Sequence, residues 1–228
     1  LLGKPNQLKI DTMNKTIEAL NAGISKIKPG YQQIVALMYE NGIIELLQER
    51  LSKSGVVKII EIGGGYGALA YYLMKILNFE VSYSLVDIPE SLAFSSIYCG
   101  CLDMGIPVKM VREGSDFCIN SDPSLTLIPN VFLDKLNTLD EPVDLCINTL
   151  SLAEMSPVQV EYYCNFISRS IGSTGLFFEQ NRHANELKLG VTFSRYLKRL
   201  RKCNTALLPN FAELRGEANI WVNSNWQK

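Results

Sequence analysis

Three short stretches carry the residues that could do chemistry. The first is "VVKIIEIGGGYGALAYYLMKIL", where Glu61 stands two residues before Gly63, and Gly65 and Gly67 follow at alternate positions. A run of β-branched residues leads in and an apolar helical pattern leads out, so the glycines fall on a strand-to-helix turn. Glycine accepts positive φ and lets the backbone approach a ligand closely, and the helix that follows offers unpaired N–H groups to an anion. The second stretch is "YSLVDIPE", which places Asp87 at the end of another strand, 20 residues beyond Gly67. The third is a pair of strand ends, "VDLCINTLSLAEMSP" and "FFEQNRH", rich in polar and titratable groups.

The glycine turn admits two kinds of ligand. Gly63-x-Gly65-x-x-Ala68 satisfies the dinucleotide fingerprint, whose third glycine is sometimes alanine. Glu61 separates the alternatives, because a diphosphate over this turn would meet a like charge in a partly desolvated site. S-adenosylmethionine carries a sulfonium and an ammonium that favour an acidic neighbour, and its one carboxylate can use the helix N-terminus. Asp87 can accept hydrogen bonds from both ribose hydroxyls, a role shared with nicotinamide cofactors, so it favours an adenosine ligand without choosing between them. Tyr66 and Ile88, beside these residues, are assigned to the same cofactor pocket. Asp116 in "VREGSDF" is the candidate for the adenine amino group, with "LTLIPN" the competing stretch for the strand that lines the adenine.

At the fourth strand end, Asn148, Thr149 and Ser151 put polar groups next to the donor position, and Glu154 follows before a helix that starts near Pro157. At the next strand end stand Glu179, Asn181, Arg182 and His183, the one histidine of the chain. Two strand ends thus converge on one crevice, the arrangement expected of a polar acceptor site.

These passages resemble known families at two levels. Glu61-x-Gly63-x-Gly65-x-Gly67 resembles the first motif of class I S-adenosylmethionine-dependent methyltransferases. "IIEIGGGYGALAYYL", "YSLVDIPESLAF", "LIPNVFLDKL", "VDLCINTLSLAEMS", "EYYCNFISRS" and "FFEQNR" follow in the order seen in the sugar O-methyltransferases of bacterial surface-polysaccharide gene clusters. That likeness covers roughly residues 55–183, and "NTLSLAEMS" with "QNR" is its narrower part. It implies S-adenosylmethionine as cofactor and a hydroxyl of a sugar or surface-glycan precursor, nucleotide- or lipid-linked, as acceptor. Glu61, Gly63, Gly65, Tyr66, Gly67, Asp87, Ile88, Asp116, Asn148 and Thr149 would then hold the cofactor, and Ser151, Asn181 and Arg182 the acceptor. A sugar hydroxyl is a weak acid, so a base that takes its proton during transfer helps. His183, with an ordinary imidazole pKa of about 6.5, is the first candidate and Glu154 the second. Both also have plainer readings, His183 as an exposed strand-end residue and Glu154 as an acid favouring the following helix dipole.

Elements that would position these residues follow from periodicity. Residues 11–28 and 32–53 read as helices divided by "KPG". From Val56 short apolar strands alternate with helical stretches, which predicts a mostly parallel sheet with helices on both faces, an α/β Rossmann-like methyltransferase fold. "FSRYLKRLRKC" reads as a basic helix carrying Arg195, Lys198, Arg199, Arg201 and Lys202, a solvated face or an attractor of phosphates. "NTALLPN" and "EANIWVNSN" read as an antiparallel pair at the sheet edge, the latter alternating like an edge strand. Residues 1–54 are expected to form a helical extension on the substrate side, and residues 55–228 the cofactor-binding domain.

Composition agrees with a globular enzyme. The chain has 228 residues, 47% hydrophobic and 20% charged, with net charge −1, so no global basic field recruits nucleic acid. Six cysteines without a C-x-x-C pair fit reduced core thiols and a cytoplasmic location. No apolar run is long enough to span a bilayer, and no carboxylate cluster makes an octahedral metal site. A homo-oligomer is compatible with all of this. Two other classes stay open: a nicotinamide-dependent oxidoreductase and a non-catalytic protein keeping the fold to bind a partner. The former lacks a usable Tyr-x-x-x-Lys, since Tyr71 and Lys75 lie on the helix after the glycine turn.

Overall fold

The computed structural model describes residues 34–35, 38, 43–77, 80–102, 104–113, 122–138, 142–181, 189–207 and 217–224. Helix α1 (Ile43–Ser54) ends at Gly55 and leads into β1 (Val57–Ile62), followed by α2 (Ala68–Ile76), β2 (Val81–Asp87), α3 (Pro89–Cys101) and β3 (Val108–Met110). Then come β4 (Ser124–Pro129), a 3₁₀ segment (Asn130–Thr138), β5 (Val143–Thr149), a 3₁₀ turn (Ser151–Glu154) and α4 (Pro157–Ser170). Strand β6 (Ile171–Gln180), α5 (Leu189–Tyr196), β7 (Leu200–Leu207) and β8 (Glu217–Asn223) complete the described chain.

The eight strands form one sheet in the order β3-β4-β2-β1-β5-β6-β8-β7. Every pair from β3 to β6 is parallel, and β8 pairs antiparallel with both β6 and β7. The expected class is therefore the observed one: a mostly parallel sheet with an antiparallel carboxyl-terminal edge. Because strand order reverses between β2 and β5 around β1, the glycine turn after β1 sits where connections leave in opposite directions.

Period-two alternation divides the strands between two cores. On one face Ile59, Tyr83, Ile147 and Phe178 pack with Ile43, Ile44 and Leu47 of α1 and with residues of α2 and α3. On the other, Ile60, Val86, Cys146 and Phe177 pack with Leu133, with Phe166 and Ile167 of α4, and with Phe193 of α5. Each such apolar side chain, fully buried, contributes about 1.5–3 kcal/mol, so neither face is dispensable. The described part of the amino-terminal segment is thus inside the main core, reaching it through Ile34, Val35 and Met38 as well as α1. The helix expected over 11–28 lies outside the described residues.

Three expectations are corrected. The strand beside β2 is β4, the "LTLIP" stretch given as the competing candidate, and the 108–110 strand before Asp116 lies one place further out. "EANIWVNSN" is not at the edge: β8 lies between β6 and β7, with residues 218–223 buried. "FSRYLKRLRKC" is not one helix. Helix α5 stops at Tyr196, Lys198 and Arg199 occupy a turn, and Arg201 and Lys202 are already in β7. The cause is shared spacing: Leu197 and Leu200, three apart, both enter the core, which suits a continuing helix and also a tight turn into a strand.

Candidate functional site

The glycine turn folds where the sequence places it. Gly63 continues the sheet ladder by donating its N–H to the Val86 carbonyl at 2.7 Å, and then the chain turns through Gly63, Gly65 and Gly67 at φ 72°, 56° and 87°. Positive φ at Gly63 coincides with close packing: a Cβ there would lie 2.0 Å from Ser151 Oγ. The glycine turn and the β5 exit are therefore in direct contact at this point, and Gly63 is fixed by the protein's own packing. Helix α2 starts at Gly67 with no side-chain cap, which leaves its first-turn N–H groups without a side-chain acceptor.

Asp87 ties the turn down. Its Oδ2 accepts from the Gly65 N–H at 2.8 Å and its Oδ1 from the Ile88 N–H at 2.7 Å, while Ser95 Oγ donates to the Gly65 carbonyl. A carboxylate has about four acceptor sites, so these two bonds leave capacity for ligand hydroxyls. Ile88, at 48% exposure, presents an apolar surface beside that carboxylate. Tyr66 is half-buried and stacks edge-on against Tyr98 at 5.0 Å between ring centroids.

Glu61 lies beneath the turn rather than in its mouth. It is fully buried, its Oε2 accepts from the Tyr83 hydroxyl at 2.7 Å, and its Oε1 has no partner. A Cβ on Gly64 would fall 2.8 Å from Oε2, so the turn backbone rests on this carboxyl. Burial pushes its pKa up to about 7; the Tyr83 bond lowers it and the charge of Asp87 raises it. Glu61 therefore holds its negative charge only in part at neutral pH, and a cation placed above it would draw the proton off.

The β5 exit is a hydrogen-bonded knot. Asn148 Nδ2 donates to the Ile62 carbonyl at 2.8 Å and to Ser151 Oγ, and its Oδ1 accepts from the Leu152 N–H at 3.4 Å. Ser151 Oγ also donates to the Ile62 carbonyl at 3.1 Å. All of the Asn148 amide is thus engaged inside the protein, where it positions the turn. Leu150 takes the left-handed conformation at φ 70°, unusual for a branched side chain, and its N–H is held by the Gln180 carbonyl at 2.7 Å. Thr149 is buried at the end of β5, opposite Gln180. Glu154 is exposed at the end of the 3₁₀ turn, and α4 is capped by Ser156 with Gln159 in a capping box rather than by Glu154.

At the β6 exit, Asn181 Oδ1 accepts from the Ala153 N–H at 3.2 Å, and its Nδ2 donates to Glu179 Oε2 at 2.9 Å. Glu179 Oε1 accepts from Asn219 of β8 at 2.6 Å. Burial raises the Glu179 pKa, opposed by those two amide bonds. Asn181 is therefore a brace between the two strand exits. Asp116, Arg182 and His183 lie outside the described residues.

Two residues at this end of the sheet are not singled out by the sequence patterns. Gln180 is fully buried with neither atom of its amide partnered. Its side chain shares the sheet face of Glu61 and Thr149, since alternate residues of paired strands point the same way. Asn130, just past the β4 end that pairs Pro129 with Asp87, bonds the Tyr163 hydroxyl. "EQN" gave the signal for Gln180 and "LIPN" for Asn130, but neither shows which face a residue takes until register is known. Among the described residues, no group of three or more His, Cys, Asp or Glu side chains is placed to hold a metal ion. No described helix is long and apolar enough to cross a membrane.

No protein-family model matches the sequence, and no curated protein matches it by sequence. Solved structures do match in shape. An rRNA methylase from Streptococcus thermophilus superposes with a TM-score of 0.53 at 12% identity, over 80% of this chain and 95% of that one. A TehB-like SAM-dependent methyltransferase from Corynebacterium glutamicum gives 0.52 at 13% identity, over 96% and 100%. Aeropyrum pernix fibrillarin, a structure with natively bound S-adenosyl-L-methionine, gives 0.50 at 14% identity, over 73% and 66%. The chain has the fold of the class I S-adenosylmethionine-dependent methyltransferases.

Proposed function

We propose that this protein is an S-adenosylmethionine-dependent O-methyltransferase whose acceptor is a hydroxyl of a sugar or glycan precursor. The observation that carries the reading is the glycine turn at the carboxyl end of β1, held by Asp87 and resting on a buried carboxyl whose Oε1 lacks a partner. An unpartnered buried oxygen costs about 1–3 kcal/mol, and a cationic group above the turn would offset that cost. The residues present therefore fit such a donor. The uncapped first turn of α2 would receive its carboxylate, Asp87 its ribose and Ile88 a face of its adenine. Ile128 and Asn130, at the end of the β4 strand beside β2, would line the adenine together with Asp116.

When bound, the donor supplies a methyl group on a positively charged sulfur. The protein's own part is alignment and proton management. The β5 and β6 exits, locked to each other through Leu150–Gln180 and Asn181–Ala153, would hold the acceptor oxygen in line with the methyl group. Ser151 and Arg182 would orient its neighbouring hydroxyls. His183, just past the brace at Asn181, would take the proton as the new bond forms, with Glu154 the second candidate. Residues 1–54 would shape the acceptor side of the pocket, and a cytoplasmic homo-oligomer acting on nucleotide- or lipid-linked sugars fits this role.

Isothermal titration with S-adenosylmethionine and its demethylated product tests the donor, with Glu61→Ala and Asp87→Ala each weakening binding. Binding of NADH in place of the donor would turn the assignment to an oxidoreductase, and binding of neither to a non-catalytic role. Labelled donor incubated with nucleotide sugars, surface glycans and RNA, followed by mass analysis, tests the acceptor class; methylated RNA with unmodified sugars would refute it. Unchanged turnover in His183→Ala would remove that residue as the base.

A further inference from the structure

The outer side of α4 carries a feature with no part in the proposed transfer. A cavity of about 470 Å³ opens there, with Arg169 from α4 and Lys198 and Arg199 from the α5–β7 turn on its lining, and the rings of Tyr162 and Tyr196 as walls. Its position is set by the core. Leu197 and Leu200 are 1% and 7% exposed, so the two residues between them are driven outward as a cationic pair. The turn is also pinned in place. The Arg199 N–H donates to Ser168 Oγ of α4 at 3.4 Å, and the Arg199 carbonyl accepts from the N–H and hydroxyl of Ser224 at 2.8 and 3.1 Å.

Pinning holds like charges together, which is unfavourable unless something offsets it. The dipole at the carboxyl end of α4 amounts to about half a charge and covers part of one cation. Two acids stand beside these rings, Asp134 accepting from the Tyr162 hydroxyl and Glu161 from that of Tyr196, and their two charges leave the four cations Arg169, Arg195, Lys198 and Arg199 in excess. Among the described residues neither Lys198 nor Arg199 forms an ion pair, and a further cation, Arg195, lies over the Tyr196 ring at 5.4 Å. Guanidinium groups match phosphate oxygens two at a time, lysine adds a point charge, and the Asn165 amide on the same lining can bond a bridging oxygen.

We infer that this cavity is a phosphate-binding site, taking the phosphoryl group of a ligand that is either a soluble phosphorylated compound or an anionic lipid headgroup. It is separate from the glycine turn. Helix α4 begins at the strand exits, and the twelve residue-to-residue rises from Pro157 to Arg169 span about 18 Å along its axis. The inference stands whether or not the protein transfers methyl groups.

The test uses the full chain and two probes, inorganic pyrophosphate by isothermal titration and co-sedimentation with vesicles. The vesicles contain phosphatidylglycerol and phosphatidylcholine, or phosphatidylcholine alone, at about 0.1 M salt. Lys198→Gln/Arg199→Gln is compared with a control of equal charge loss at the far side of the sheet, Lys109→Gln/Arg112→Gln, with circular dichroism showing that both fold. Pyrophosphate binding that weakens at least about tenfold in the first variant and not in the control supports the site with a soluble ligand. Binding confined to the phosphatidylglycerol vesicles, lost in the first variant alone, supports it with a headgroup. The inference fails if the native chain binds neither probe, if the first variant binds as well as the native chain, or if the control loses as much.

Discussion

Glu61 makes the sharpest residue-scale prediction. Its carboxyl ionises at an ordinary pKa of 4.5 in the unfolded chain and at about 7 in the folded one. Between those values the folded state binds more protons, so this group's contribution to stability is fully present below pH 4.5 and is lost as pH rises through about 7. The loss amounts to about 3 kcal/mol, and Glu61→Gln should flatten that part of the stability profile measured by urea unfolding between pH 4 and 8, numbers set by about 1.4 kcal/mol per pKa unit. A cationic donor should reverse the sense: its affinity should rise with pH over the same window, with proton release seen as a dependence of titration heat on buffer. Pyrophosphate-bearing cofactors would show the opposite pH trend. Gln180 yields a second test. With both amide atoms buried and unpartnered, Gln180→Met should leave the free protein as stable or stabilise it by about 1–3 kcal/mol. A lowered Tm would mean that the amide already has partners in the free protein.

At the scale of elements, the contact between Gly63 and Ser151 predicts coupling. Gly63→Ala alone would both strain a left-handed backbone, by about 1–2 kcal/mol, and drive a methyl group into Ser151. In a Ser151→Gly background only the backbone strain remains, so a double-mutant cycle by chemical denaturation should give a coupling energy of at least about 1 kcal/mol. Additive losses would show that the two turns do not touch. This contact also marks the limit of what the sequence could reveal. Strand–glycine–helix and the two polar strand exits were legible because periodicity and turn residues are local signals. That Asn148 and Asn181 spend their amides bracing the exits was not, because the same residue types serve a ligand or a neighbouring turn, and register alone decides which. The sequence pattern runs past the end of helix α5 for a related reason: Leu197 and Leu200 announce burial, not the geometry that achieves it.

For the whole molecule, the sheet order ranks local stability. Strand β8 is paired on both sides and buried on both faces, whereas β3 is a three-residue edge strand with every side chain exposed. Native-state hydrogen exchange should find the amides of β8, β1 and β5 among the slowest and those of β3 among the fastest, and fast exchange in β8 would contradict its interior place. Its late position in the chain has a further outcome. During synthesis β7 emerges with no neighbour to join, because the strand that links it to β6 has not yet been made. Glu179 likewise waits for Asn219, and through Glu179 so does the brace at Asn181. A nascent chain can therefore assemble its glycine turn long before the acceptor side is rigid, and the ribosome must deliver residue 219 before both halves of the crevice hold their working shape.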